Sequence, residues 1–250
     1  MKRSIRCLSG NVLKILAAIF MVCDHIGLFF YPDEIAFRLI GRLSFPIFAF
    51  MIAEGARYTR SKLRYLATVG GLGVICQLVY FFFAGSTYMC ILITFTLSII
   101  MIYALAYFKE CLFSKKAGLI KKLLSGALFV LTVCAVYLLN RYVAIDYGFL
   151  GCLAPVFASL FDFRAVKLPK RLEWLDSLYL RIGAFSVGLI IRAIVYGETR
   201  WVSLFAIPLL LLYSGKRGKA KMKYFFYVFY PAHLVLLQAI VYLLATYRAI

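Results

Sequence analysis

The chain has 250 residues, 64% of them hydrophobic, and a formal net charge of +19; its mean hydropathy is +0.92. A soluble globular domain carries roughly 45–50% apolar residues. The excess here runs the whole length, which excludes a sizeable water-soluble domain and points to an all-α, polytopic transmembrane bundle. The basic excess does not make a nucleic-acid binder. Lys and Arg come in short bursts between apolar runs, as cytoplasmic loops do, and there they meet anionic lipid headgroups.

The first apolar run covers about 12–30 and follows Lys2, Arg3 and Arg6. A secretory h-region spans roughly 7–15 residues and ends at small residues. This run continues through "MVCDHIGLFF" (21–30) with no Ala-x-Ala site, so it reads as a retained helix. It carries Asp24 and His25 inside a span, where a charge costs on the order of 3 kcal/mol. From a start near Asn11, His25 lies about 21 Å along at 1.5 Å per residue, in the outer half of the bilayer. Adjacent helical residues diverge by about 100°, so one of the two faces a cavity while the other meets a neighbouring helix. Such a pair either fixes helix packing or marks a functional site, and histidine is the side chain suited to general-base work near neutral pH.

The second run, 36–54, contains "FRLIGRLSFPIFAFMIAEG". Arg38 and Arg42 are four apart and share a helical face. The short "YPDE" connection brings them near His25, where two guanidiniums make an anionic or oxyanion-stabilising site. Pro46 interrupts the hydrogen-bond ladder, and Glu54 is expected to pair with Arg57.

Further runs follow at about 65–83, 89–108, 123–139, 145–161, 178–196, 201–213 and 224–245, nine in all. A spanning helix needs roughly 20 residues, so the sixth and eighth are short enough to tilt, break or cross only in part. "VGGLGV" (69–74) is a small-residue packing surface without the context of a phosphate loop. Asp146 and Tyr147 open the sixth run on the outer side, placed to contact an acceptor. The stretch 162–176 reads as a cytoplasmic loop. In the seventh run Arg181 sits near the cytoplasm, where a phosphate can reach it, and Arg192 in the outer half on the same face. The last run begins "KYFFYVFYPAHLVLL". Its Pro231 releases the carbonyl of Tyr227, and His233 is placed to satisfy that carbonyl or to serve the site.

Basic residues set the orientation. Those flanking the runs divide 21 to 3 between alternate sides, the minority being Arg141, Arg200 and Arg248. The N-terminus is therefore expected in the cytoplasm and the C-terminus outside. Seven scattered cysteines without a C-x-x-C pair argue against a disulfide framework or zinc site. Two histidines leave few metal ligands, and no metal is expected.

In their order, "LKILAAIFMVCDHIG" (13–27), "IGRLSFPIFAFMIAEG" (40–55), "DYG" (146–148) and "KYFFYVFYPAHL" (223–234) resemble the TraX family of integral membrane proteins, associated with N-acetylation of pilin. More distantly they are similar to transmembrane acyltransferases, which pass an acyl group from cytoplasmic acyl-CoA to an acceptor across the membrane. The resemblance covers nearly the whole chain and implies one integral domain over 1–250 in the bacterial cell membrane. It implies an acyltransferase, with acetyl the expected group and acetyl-CoA a donor substrate rather than a bound cofactor. The acceptor would be an exported protein or a glycan. Carried onto this sequence, the resemblance implies His25 with Arg38 and Arg42 as the leading candidates and Asp24 beside them. In the acyltransferase reading His25 is the base, Asp24 orients it, and Arg42, together with Arg38, stabilises the oxyanion. Arg38, Arg181, Arg192, Asp146, Tyr147 and His233 are the candidates for substrate binding. An acyl-histidine intermediate is a variant of this scheme. The rival from another class is a transporter or flippase, which also keeps charge at mid-depth beside interrupted helices.

Overall fold

The computed structural model describes residues 6–220 and 222–248. Of the basic residues used for orientation, Lys2, Arg3 and Lys221 lie outside these. Ten α-helices follow one another, and no strand is formed among the described residues: α1 (Gly10–Phe30), α2 (Ile35–Gly41), α3 (Ser44–Tyr58), α4 (Lys62–Ala84), α5 (Ile91–Phe113), α6 (Leu119–Tyr142), α7 (Gly148–Ser159), α8 (Leu178–Tyr196), α9 (Ala206–Leu211) and α10 (Lys223–Arg248). Two 3-10 segments, Lys170–Leu175 and Glu198–Phe205, precede α8 and α9.

Seven helical stretches among the described residues are long and apolar enough to cross a membrane, with α2 and α3 together forming one of them. The nine expected runs are all helical, but the sixth and eighth fall short of a span. They form Gly148–Ser159 and Thr199–Leu211. At 1.5 Å per residue, twelve residues cover about 18 Å of a core about 30 Å thick.

Contacts divide the chain into two compact units, Met1–Phe48 with Ala193–Ile250, and Ala49–Arg192. In the first unit the N-terminus of α1 is built by capping. Ser9 Oγ accepts the Val12 N–H at 3.3 Å. The N–H groups of Gly10 and Asn11 donate to the carbonyls of Lys216 and Arg217, both at 2.9 Å. Asn11 Nδ2 donates to the Ala220 carbonyl at 2.7 Å. These bonds answer helix-end donors that otherwise lack partners. Gly218 makes this wrap possible with a φ of 100°, a region where side chains are strained. Leu13, Ala17, Ala206 and Leu210 are fully buried in this unit.

The break between α2 and α3 has a chemical cause. Pro46 has no N–H to give the carbonyl of Arg42, so the ladder lapses there. Pro46 then sits in the first turn of α3, where it is tolerated. Ser44 Oγ ties the start of α3 to the Ala17 carbonyl at 2.8 Å.

In the second unit Phe50 meets Phe185 edge-on at 5.5 Å between centroids. Thr94 Oγ1 donates to the Asp146 carbonyl at 2.6 Å, and Ser98 Oγ to the Cys152 carbonyl at 2.8 Å. Of the glycines in 69–74, Gly70 and Gly73 serve packing, a Cβ on them standing 3.3 Å from Thr96 and 3.0 Å from Ile93, whereas Gly71 faces open space. All seven cysteines are free. Lys109, which follows the fourth apolar run and is one of the 21 bases on the majority side, is buried instead of lying in a loop. Its ammonium takes the carbonyls of Ser159 and Leu160, each at 2.7 Å, and of Asp162 at 3.1 Å. Carbonyls at a helix C-terminus carry partial negative charge, and this is where a buried cation is best placed.

Candidate functional site

Four side chains from three helices of the first unit meet: Asp24 and His25 of α1, Arg38 of α2 and His233 of α10. The divergence between Asp24 and His25 is realised as expected for adjacent helical residues. Asp24 turns to α2, where its Oδ2 stands 2.9 Å from Arg38 Nη1. The same nitrogen donates to the Asp24 carbonyl at 3.3 Å. Gly41 lets α2 settle onto this carboxylate, because a Cβ there would overlap it.

His25 turns to α10. Its Nδ1 lies 3.3 Å from His233 Nε2, with ring centroids 5.1 Å apart. His233 is in turn fixed by Phe229, whose carbonyl lies 2.9 Å from His233 Nδ1 and whose ring stacks on the imidazole at 5.2 Å. Tyr230 meets the same imidazole edge-on at 5.5 Å. Two expectations change here. The imidazole of His25 is held by His233 and not by Asp24, since neighbours on a helix point apart. His233 bonds to the carbonyl one turn behind it, Phe229, and not to that of Tyr227, because an i−4 carbonyl lies directly beneath a helical side chain.

Arg42 caps the C-terminus of α2. Its charge is close enough to act on Asp24. Its Nε and the Asp24 Oδ1 are buried without a hydrogen-bond partner. Unanswered polar atoms at such depth are costly, and each calls for a partner such as a water, an ion or a ligand.

The remaining candidates stand in the second unit. Arg181 is buried and pairs with Glu54, and its Nε donates to the Ala158 carbonyl at 3.4 Å. Glu54 therefore does not take Arg57, as the sequence suggested. Glu54 faces inward, where a buried carboxylate requires a buried cation. Arg57, at the end of α3, reaches the loop instead, meeting Asp162 Oδ1 at 2.6 Å and Asp176 at 2.7 and 3.0 Å. Arg192 lies over the Tyr147 ring at 4.9 Å. Tyr147 precedes α7 with a φ of 63°, and Asp146 Oδ1 accepts the Tyr88 hydroxyl at 3.4 Å.

Lys14 escaped the sequence reading. It lies eleven residues before His25, three helical turns away and so on the same face. Its ammonium stands 5.7 Å from the centre of the Phe226 ring, with Arg217 near enough to repel it. A lysine two residues into an apolar run was the available signal. Among the described residues no group of three or more His, Cys, Asp or Glu is arranged to hold a metal.

Two curated proteins and one family are similar to this chain. A probable fimbrial assembly protein FimC, serogroup H1, of Dichelobacter nodosus is 26% identical over 244 residues, covering 92% of this chain and 94% of that protein. The uncharacterized protein RP591 of Rickettsia prowazekii (strain Madrid E) is 40% identical over 68 residues, which is 27% of this chain and only 25% of that protein's length. No solved structure matches. The family described as TraX protein matches residues 9–241. A match of that extent leaves out only the two ends of the chain, and this protein belongs to the TraX family.

Proposed function

We propose that this protein is an acyltransferase of the bacterial cell membrane, moving an acetyl group from cytoplasmic acetyl-CoA to an amine or hydroxyl of an exported protein or glycan. The TraX family is linked to pilin acetylation. The observation that carries the reading is a histidine, His25, set nitrogen to nitrogen against His233 and carried on the helix that also holds Asp24 of the Asp24–Arg38 ion pair. His25 adjoins Asp24, on which Arg42 acts, and Arg42 Nε has no partner.

In this mechanism the acceptor N or O attacks the thioester carbonyl carbon as its proton passes to the His25 imidazole. The oxyanion of the tetrahedral intermediate is met by the Arg42 guanidinium. The C–S bond then breaks and His25 returns the proton to the thiolate. The products are the acylated acceptor and free CoA thiol. Arg38 neutralises Asp24 and keeps a net charge from standing alone in the apolar interior. Lys14 and the basic loop that wraps the start of α1 supply positive charge for the phosphates of the donor.

One observation favours a transporter: the break between α2 and α3 falls at Arg42, as interrupted helices do at substrate sites. Purified protein offered acetyl-CoA and candidate acceptors decides between the readings. Acceptor-dependent release of free thiol, with thermal stabilisation by CoA, is expected of the enzyme. Absence of both, with uptake of an anionic substrate into proteoliposomes, would favour the transporter.

A further inference from the structure

The chain has only two histidines, 208 positions apart in sequence, and they stand nitrogen to nitrogen. Their hydrogen-bond chain has one consistent assignment when both rings are neutral. The Phe229 carbonyl only accepts, so the His233 Nδ1 facing it at 2.9 Å carries a hydrogen. The neutral His233 then has its lone pair on Nε2. His25 Nδ1, 3.3 Å from that lone pair, must be the donor. The lone pair of His25 is thereby confined to Nε2, the nitrogen turned away from His233.

We propose that His233 is a positioning residue: it fixes the tautomer and ring orientation of His25 and presents the His25 Nε2 lone pair as the proton acceptor. Its use in acyl transfer rests on the function proposed above; the tautomer does not. Many catalytic histidines are held by a carboxylate that fixes the tautomer and steadies the imidazolium. Inside a membrane a second buried carboxylate would carry a large desolvation cost. A neutral imidazole backed by a backbone carbonyl supplies the same directional acceptor without a formal charge. When His25 Nε2 gains a proton, its Nδ1–H still donates to His233 Nε2, and the Phe229 carbonyl dipole lies behind it. Stacking on Phe229 and the edge contact of Tyr230 hold the His233 ring at its angle.

The experiment uses full-length protein in lipid nanodiscs with 15N-labelled histidine, whose two imidazoles give all the ring signals. At pH 8, above the ordinary histidine value of ~6.5, both rings are expected to be protonated at Nδ1 only. A 15N–15N coupling between His25 Nδ1 and His233 Nε2 should be visible across the hydrogen bond. A His25 ring protonated at Nε2, or no coupling, would overturn the proposal. The kinetic arm compares His233→Gln, whose side-chain oxygen falls near the position of Nε2, with His233→Leu. The Gln variant should keep kcat within about tenfold. The Leu variant should lose about 10²–10⁴-fold in kcat, the range of a general base, with KM for acetyl-CoA unchanged. A folded His233→Leu with full kcat would overturn the positioning role. If His233→Leu does not fold, the wild-type spectrum and the Gln variant still decide. Expected tautomers together with no acyl transfer from the wild-type protein would remove the acyltransferase reading and leave the tautomer lock established.

Discussion

The carboxylate of Glu54 on α3 and the guanidinium of Arg181 on α8 form an ion pair inside the second unit, with side-chain exposures of only 6% and 4%. Removing one partner of a buried pair strands the other charge, which costs about 3–5 kcal/mol. Glu54→Gln and Arg181→Ala should therefore each lower the melting temperature and yield sharply. The double variant Glu54→Leu with Arg181→Met should recover much of the loss, because apolar replacement of a whole buried pair is often neutral. Melting in detergent checks this. Two harmless single variants would mean that the pair contributes nothing to the fold.

Asp176 lies before α8, outside the spans, and its stability contribution is pH-dependent. Burial pushes its carboxyl up, but the Arg57 hydrogen bond, the Phe163 N–H and the charge of Arg57 outweigh burial and hold it below the usual carboxylate range. A carboxyl lowered on folding stabilises the fold above its unfolded value, ~3.9, and loses that effect as pH falls through the folded value. Asp176→Asn should cost about 1 kcal/mol, as partly exposed pairs do, and the cost should be constant from neutral pH down to about 5. Below ~3.9 the melting curves of the two proteins should converge. A gap that persists in acid would show that the carboxylate charge is not the cause.

Gly41 is where a single methyl group tests the cluster. A Cβ at this position would run into the Asp24 carboxylate. Gly41→Ala should push α2 away from α1, break the Asp24–Arg38 pair and cost about 1–3 kcal/mol by overpacking. Gly71, whose Cβ would meet nothing within 4 Å, supplies the control. Equal melting temperatures and equal thiol release for the two alanine variants would disprove the close approach.

How much of this was legible beforehand follows from what sequence periodicity encodes. The apolar runs, the two short helices and the divergence of Asp24 from His25 depend on local spacing, and all could be read directly. The "YPDE" connection, only four residues long, also made it legible that Arg38 comes back to the end of α1. The partnership of His25 with His233 was not legible, because no local pattern states which helix packs on which across 208 positions. Glu54 shows the same limit. Its neighbour Arg57 was the natural partner by spacing, while the actual partner Arg181 stands 127 positions on. Lys109 looked like a loop base because α5 runs farther than its apolar stretch, and only the end of α7 explains its burial.

The orientation in the membrane rests on charge asymmetry. An alkaline phosphatase fused to the C-terminus should be active, and one fused after Lys219 inactive, if the basic loops are cytoplasmic. The opposite pattern would invert the chain and put His25 in the cytoplasmic half.

Arg42 and His25 give the most direct test of chemistry. In the proposed mechanism the Arg42 guanidinium stabilises the oxyanion, and its Nε has no protein partner. Lysine in its place keeps the charge but loses the planar fork of donors. Arg42→Lys should therefore fold with a melting temperature near that of the parent and lose about 10²–10³-fold in kcat, the cost of one oxyanion donor. His25→Ala should lose about 10²–10⁴-fold, as expected for a missing general base. If each acts on the same transition state through a different atom, the double variant should fall to the uncatalysed background. Thiol release by the purified variants measures all three. Full activity in His25→Ala would end the general-base mechanism. Full activity in Arg42→Lys would show that charge alone is enough at this position.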